Sequence, residues 1–246
     1  MKTLYLWIML AMLSMASCSS HDEPELIEPV PPAQEDEPKT VNVQFVVGEY
    51  PAFASQGDAS SDDKTAWSET DEIFVTLTSP RLGKKTAVLT YRNNAWTSDA
   101  TLSYIEGEMP EVTCLYAPDY QYKDGTIVLK QDRRLGLADY ISVKSTVNGD
   151  KVNVRFTNAD RTHSRLCIAT MPGQSLTLTT TGFTPAGSTT VTTEAYTLQA
   201  DNQGQVFLYG IFTAGATLKV ESEGILWTNH TFSSATQAGR SYTLQV

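Results

Sequence analysis

The sequence is short of the side chains that most chemistry needs. Its 246 residues hold three cysteines and three histidines, which leaves few ligands for a zinc site. Positive charge is also scarce: 18 Lys+Arg stand against 28 Asp+Glu, for a formal net charge of −10. A nucleic-acid binder needs clustered positive charge to displace counterions from phosphate, so that class is excluded. There is no Gly-x-Ser-x-Gly, no His-Glu-x-x-His and no glycine loop leading from a strand into a helix. His163 and His230 lie far apart with no nucleophile motif near either, and read as surface or internally satisfied side chains. Carboxylates are common, but no spacing singles out an acid/base pair. Asp58, Asp62 and Asp63 share one loop without EF-hand spacing, and read as solvated. The expectation is a protein that is not an enzyme and uses no metal and no cofactor. Beyond the N-terminus no apolar run is long enough to cross a bilayer.

What is present begins at the N-terminus. Lys2 precedes an unbroken apolar run from Leu4 to Leu13, and the small residues Ala16 and Ser17 follow. This is the layout of a secretory signal peptide over residues 1–17. Met15-Ala16-Ser17-Cys18 resembles a bacterial lipobox, in which the cysteine is acylated and becomes the first mature residue. Acyl chains on Cys18 would hold the protein by partition into the bilayer, at about 0.8 kcal/mol per buried CH₂. Residues 18–40 then read as the acylated cysteine and a tether. After Cys18 this stretch has seven acids and five prolines against one base, Lys39, so it cannot bury enough apolar area to offset its ordering entropy. Ser19-Ser20-His21-Asp22-Glu23 looks like the acidic export tag of Bacteroidetes surface lipoproteins.

From residue 41 onward the pattern is period two. Val41, Val43, Phe45 and Val47 mark one face of a first strand. Ile73, Val75 and Leu77 mark another, and similar runs recur up to Tyr242, Leu244 and Val246. Such alternation signals half-buried strands, and the threonine-rich stretch 170–200 also favours strand. Asp124-Gly125, Asn148-Gly149 and Asn202-Gln203-Gly204 supply turn chemistry between runs. The expected fold is all-β, as β-sandwiches over 41–150 and 151–246. The boundary is weakly placed, since Asn148-Gly149 equally fits a hairpin inside one domain. Cys114 and Cys167 fall in strand-like apolar runs and read as buried thiols. Trp67, Trp96 and Trp227 read as core or hairpin residues, with carbohydrate stacking as the alternative.

Taken in order, several short elements resemble the fimbrillin family of Bacteroidetes surface lipoproteins. Trp67-Ser68-Glu69-Thr70-Asp71-Glu72-Ile73 is similar to its Trp-x-x-Gly-Asp-x-Ile, with Glu69-Thr70 where glycine is expected. Tyr91-Arg92-Asn93-Asn94-Ala95-Trp96 resembles its Tyr-x-x-x-x-Trp hairpin. Leu115-Tyr116-Ala117-Pro118, Ala138-Asp139-Tyr140-Ile141 and Phe156 with Ser164-Arg165-Leu166 resemble three later elements, though Asn158 stands where histidine is common. Ala238-Gly239-Arg240-Ser241-Tyr242-Thr243-Leu244 is similar to the closing strand.

The resemblance implies two tandem transthyretin-like β-sandwiches and a role in fimbriae, whose subunits join by strand exchange. It also implies an outer-membrane, surface-exposed location and partners among other fimbrial subunits. In that family an arginine-specific protease cuts after the first strand, and a strand from the next subunit fills the groove by β-augmentation. Between Cys18 and Pro80 this sequence has no arginine; Arg81 is the first, and Lys39 and Lys64 are the basic alternatives. The expectation is that Val41, Val43, Phe45 and Val47 stay in place and the lipid stays attached, as suits an anchor or accessory subunit. Tyr242, Leu244 and Val246 read either as the last core strand or as a donor strand. The competing function is a surface module that binds glycan or host protein on the same scaffold.

Overall fold

A computed structural model of the chain describes residues 37–55 and 64–246. The signal peptide, Cys18, most of the acidic tether and Asp58, Asp62 and Asp63 lie outside the described residues.

The described chain is all-β. Its first half contributes β1 (Thr40–Asn42), β2 (Gln44–Val47), β3 (Ala54–Ser55), β4 (Glu72–Ser79), β5 (Gly83–Arg92), β6 (Ala95–Ser98) and β7 (Ser103–Ile105). Then come β8 (Glu111–Tyr116), β9 (Tyr120–Lys123), β10 (Thr126–Leu129), β11 (Ile141–Ser145), β12 (Val147–Asn148) and β13 (Lys151–Val154). A short 3₁₀ turn, Asn158–Asp160, leads to β14 (Ser164–Ala169), β15 (Ser175–Pro185), β16 (Thr192–Gln199), β17 (Gln205–Ser222), β18 (Ile225–Thr231) and β19 (Arg240–Gln245).

The first core lies between a five-stranded antiparallel sheet, ordered β11-β8-β4-β5-β6, and two small sheets, β1-β7 and β12-β13-β2. Alternation explains the faces. Ile73, Val75 and Leu77 of β4 point into the core with Leu89, Val112, Cys114 and Ile141, and meet Val43, Leu102, Val152, Val154 and Phe156 from the other side. The intervening Phe74, Thr76 and Thr78 point away from that core. Tight hairpins set the register: Asn93-Asn94 between β5 and β6 has φ of 51° and 60°, and Asp124-Gly125 between β9 and β10 has φ of 50° and 81°. Paired positive φ is what a two-residue turn needs to match strand twist.

The second core is made by a sheet that folds over on itself. Its order is β16-β15-β17-β14-β19-β3, with β18 also on β17. β15 and β17 bend together where the register shifts between Thr181 and Phe183. Gly182 sits at that corner with φ +63°, and a Cβ there would come within 2.9 Å of Thr213 Oγ1 and 3.0 Å of the Ala216 Cβ, so a side chain would not fit. Leu176, Leu178, Phe183, Leu208, Phe212, Leu218 and Val220 fill the fold.

Two expectations change. The run 41–47 is not one strand: it breaks at Val43 into β1 and β2, which pair with different neighbours. Asn148-Gly149 is a hairpin inside the first core, and β13 belongs to that core although the sequence reading placed 151 onward in the second half. The reason is a parallel pairing of β13 with β2, a long-range contact that alternation cannot reveal.

Candidate functional site at the first strand and the junction it crosses

Val41, Val43, Phe45 and Val47 all face the first core. β1 runs antiparallel to β7, with Val41 opposite Tyr104. At Val43 the partner changes: its N–H donates to the Leu102 carbonyl at 2.9 Å, and the next N–H, of Gln44, donates to the Asp150 carbonyl at 2.7 Å. β2 then runs parallel to β13, with Phe45 opposite Val152 and Val47 opposite Val154. Val43 is buried, and Val41, Phe45 and Val47 are partly buried against the same cluster. Full burial of such a side chain contributes about 1.5–3 kcal/mol, so Val43 anchors the break and its neighbours add less.

The chain then crosses to the second core as an arm. Gly48 donates to the Val154 carbonyl at 2.9 Å, and the Trp67 Nε1–H donates to the Gly48 carbonyl at 2.7 Å. The Tyr50 ring stands edge-on to Trp67 and Tyr116 at 5.1 and 5.8 Å. Phe53 is buried, with the Arg161 guanidinium 3.9 Å and that of Arg165 5.1 Å from its ring centre. β3 pairs parallel with the start of β19, Ala54 opposite Arg240 and Ser55 opposite Ser241.

A buried polar cluster fixes this crossing. Asp139 accepts from Arg161 Nε at 3.2 Å and Nη2 at 2.7 Å, from His163 Nε2 at 2.8 Å and from the Tyr50 hydroxyl at 3.0 Å. All four residues are buried. Burial by itself would push the Asp139 carboxyl up; hydrogen bonds from His163 and Arg161, with the Arg161 charge, outweigh it and hold the carboxyl at about 2, below its ordinary 3.8. Burial, then the Asp139 charge, pushes the Tyr50 phenol well above its ordinary range. Burial also pushes the Tyr209 phenol, nearby, up to about 12. A buried ion pair of this kind adds little over an apolar packing but costs much when one partner is removed. Tyr50 comes from one segment and Arg161 and His163 from another, and they converge on one carboxylate from a third, so the cluster fastens those segments together.

The basic residues near the arm differ in access. Lys64 is held by Asp71 at 2.5 and 2.7 Å and by the Tyr116 hydroxyl at 3.0 Å, over the rings of Tyr50 and Tyr116. Lys39 is largely exposed beside Glu106, and it precedes β1. Thr70, where the family pattern has glycine, adopts φ 72°, a left-handed conformation that a β-branched residue takes at a cost.

The other expected residues fall as follows. Tyr242, Leu244 and Val246 pack together against the second core, and β19 runs parallel to β14 with Tyr242 opposite Leu166 and Leu244 opposite Ile168. The strand therefore sits in the molecule's own sheet. Among the described residues only Ala54 and Ser55 pair with its other edge, and a cleft of about 290 Å³ lined by Leu166, His230, Phe232, Tyr242 and Leu244 lies alongside. His230 stands edge-on to Phe232. Cys114 and Cys167 are buried in different strands and no disulfide joins them; burial pushes the Cys114 thiol up to about 12. Trp96 stands edge-on to Trp67 at 5.1 Å, and Trp227 packs, partly buried, on the second core. Among the described residues no group of three or more His, Cys, Asp and Glu could hold a metal ion, and no helix is long and apolar enough to cross a membrane.

Sequence reasoning missed the cluster of Asp139, Arg161 and His163. Its one local signal is the i, i+2 spacing of Arg161, His163 and Arg165, which puts three cationic or titratable side chains on one side of an extended chain. Comparison with known families and with curated proteins finds no match for this chain.

Proposed function

We propose that the chain is a surface lipoprotein of the fimbrillin type, moored to the outer membrane through Cys18, and an anchor or accessory subunit that keeps its first strand. The supporting observation is the arm from Thr40 to Ser55, which pairs with β7, β13 and β19 and is fastened by Asp139 and Arg161. A shaft subunit must lose its first strand to accept the next one. Here the strand packs in the first core and its continuation pairs with the edge of the second sheet, the arginine that would mark a cut is missing, and Lys64 is paired with Asp71. Cleavage at the exposed Lys39 would leave the strand where it is but would release the body from Cys18, so an N-terminus at residue 40 would contradict the anchoring. Assembly with other fimbrial subunits would then use a different edge, and the flank of β19 beside Tyr242, Leu244 and Val246, which pairs only with Ala54 and Ser55 among the described residues, is a candidate. The intact mass of the mature protein from outer-membrane fractions tests the reading. An N-terminus at Cys18 carrying acyl chains is expected; one near residue 65 or 82 contradicts it.

A second reading, a surface module for glycan on the same scaffold, is favoured by one observation: a half-polar cleft on the outer face of the five-stranded sheet, under the β9–β10 hairpin.

A further inference from the structure

We propose that this cleft is a binding site for an acidic oligosaccharide, one carrying carboxylate or sulfate groups; the inference rests on the second reading and is independent of the fimbrial one. The cleft has a volume of about 370 Å³. Its floor is the face of the sheet turned away from the first core. One row across the strands, Ser142, Leu115, Phe74 and Val88, is apolar apart from Ser142. The next row is Lys144, Thr113, Thr76 and Thr86, and the one beyond it is Glu111, Thr78 and Lys84. The wall is the hairpin β9–β10. Tyr120 lies opposite Leu129 and Tyr122 opposite Ile127, so these four side chains share a face. Tyr120 and Ile127 pack on Phe74 and Leu115, which aims that face at the sheet. Tyr122 is further out and exposed.

The chemistry is divided in the way a sugar ring is divided. A pyranose has an apolar C–H face and a rim of hydroxyls. The tyrosine wall suits the first and the hydroxyl rows suit the second. The Thr76 and Thr86 hydroxyls bond each other at 2.8 Å, while those of Thr78, Thr113 and Ser142 make no hydrogen bond among the described residues. The floor of the cleft is a sheet face whose backbone groups are already paired in the ladder, so a peptide strand could add only along an outer edge of the β9–β10 hairpin.

The sign of the ligand follows from the lysines. Lys84 lines the cleft and Lys144 lies beside Thr113 on the same face of the sheet; neither has an acidic partner among the described residues, whereas Arg81, Arg133, Arg134 and Lys64 are paired. Glu111 and Glu72 share this face of the sheet but do not line the cleft, whose one charged lining side chain is Lys84, so the cleft itself is positive in a chain whose net charge is −10. At physiological salt, charges beyond about 8 Å are screened, so the local lysines decide.

Titration calorimetry of the acylated full-length protein in detergent, with a hyaluronan octasaccharide and a neutral chitin hexasaccharide as probes, tests the proposal. Hyaluronan should bind and the chitin oligomer should bind at least about ten-fold more weakly, with the difference shrinking as salt rises. Lys84→Ala, at an exposed lining residue, should weaken hyaluronan binding about five-fold with the unfolding temperature unchanged, and Tyr122→Ala, beside the lining residue Ile127, should weaken it about ten-fold with the folded state retained. Equal binding of both probes overturns the acidic specificity and leaves the glycan reading standing. Hyaluronan binding unmoved by either substitution overturns the location. Binding of neither probe overturns this proposal and the glycan reading together, and leaves the fimbrial reading untouched.

Discussion

The arm at Thr40–Ser55 and the strand at Arg240–Gln245 are held in opposite ways. The arm takes three partners in turn, β7, β13 and then β19, and between pairings it is pinned by Trp67, Tyr50 and Phe53. β19 has a full ladder on β14 but only two paired residues on its other flank among the described residues. Both present apolar side chains at alternate positions, so alternation alone makes them look equivalent. The difference lies in what crosses the ends: a buried charged cluster on the arm, and a half-open cleft beside β19. A segment tied to two cores cannot leave one without disturbing the other, whereas an edge strand can gain a neighbour without loss.

The largest effect should come from the fastener. Arg161→Ala leaves the buried Asp139 carboxylate without its bidentate partner and removes the nearer of two cations over Phe53, and should cost about 3–5 kcal/mol in urea unfolding. Leu244→Ala on the half-buried closing strand should cost only about 1–2 kcal/mol. Equal costs would erase the asymmetry. Acid should act on the same fastener. The folded value of Asp139, about 2, lies below the ordinary 3.8, so its stabilisation is complete above the unfolded value and is lost as pH falls through about 2. A loss of roughly 2 kcal/mol is expected over that window. Asp139→Asn should remove this acid limb while leaving any other carboxylate contribution in place, and an unchanged acid profile would deny Asp139 the role. The smallest effect concerns the loop that carries Trp67 and Asp71 to the arm. Thr70→Gly relieves a left-handed residue and should raise stability by about 1 kcal/mol, read as a higher urea midpoint; a lower midpoint would mean that the threonine side chain matters more than its backbone strain.

Much of the fold can be read directly from residue order. Ile73, Val75 and Leu77, or Leu176 and Leu178, announce a strand and its buried face, and Asp124-Gly125 announces a hairpin whose φ values are those the dipeptide favours. The partner of a strand is less legible, because a period of two names the wet and dry sides and says nothing of the sheet. Phe45 and Val152 are neighbours across a parallel ladder, yet no local pattern joins them. The break at Val43 is hidden for the same reason: the side chains keep alternating while the hydrogen bonds change hands. The fastener was the least legible part. Asp139 sits more than twenty residues from Arg161 and His163 and much further from Tyr50, and buried polar clusters leave no periodic trace. The cleft is partly visible, since Thr76, Thr78 and Thr113 alternate with core residues, but the docking of the Asp124-Gly125 hairpin over them is not.

The central claim is that the first strand is a fixed part of the folded body. Amide hydrogen exchange on the full-length protein reads this most directly. The amides of Val43, Gln44 and Gly48, each bonded to a carbonyl of a distant segment, should exchange as slowly as those of Ile73 and Val75 in the centre of the large sheet. Exchange of those three within seconds, while β4 stays protected, would contradict the account.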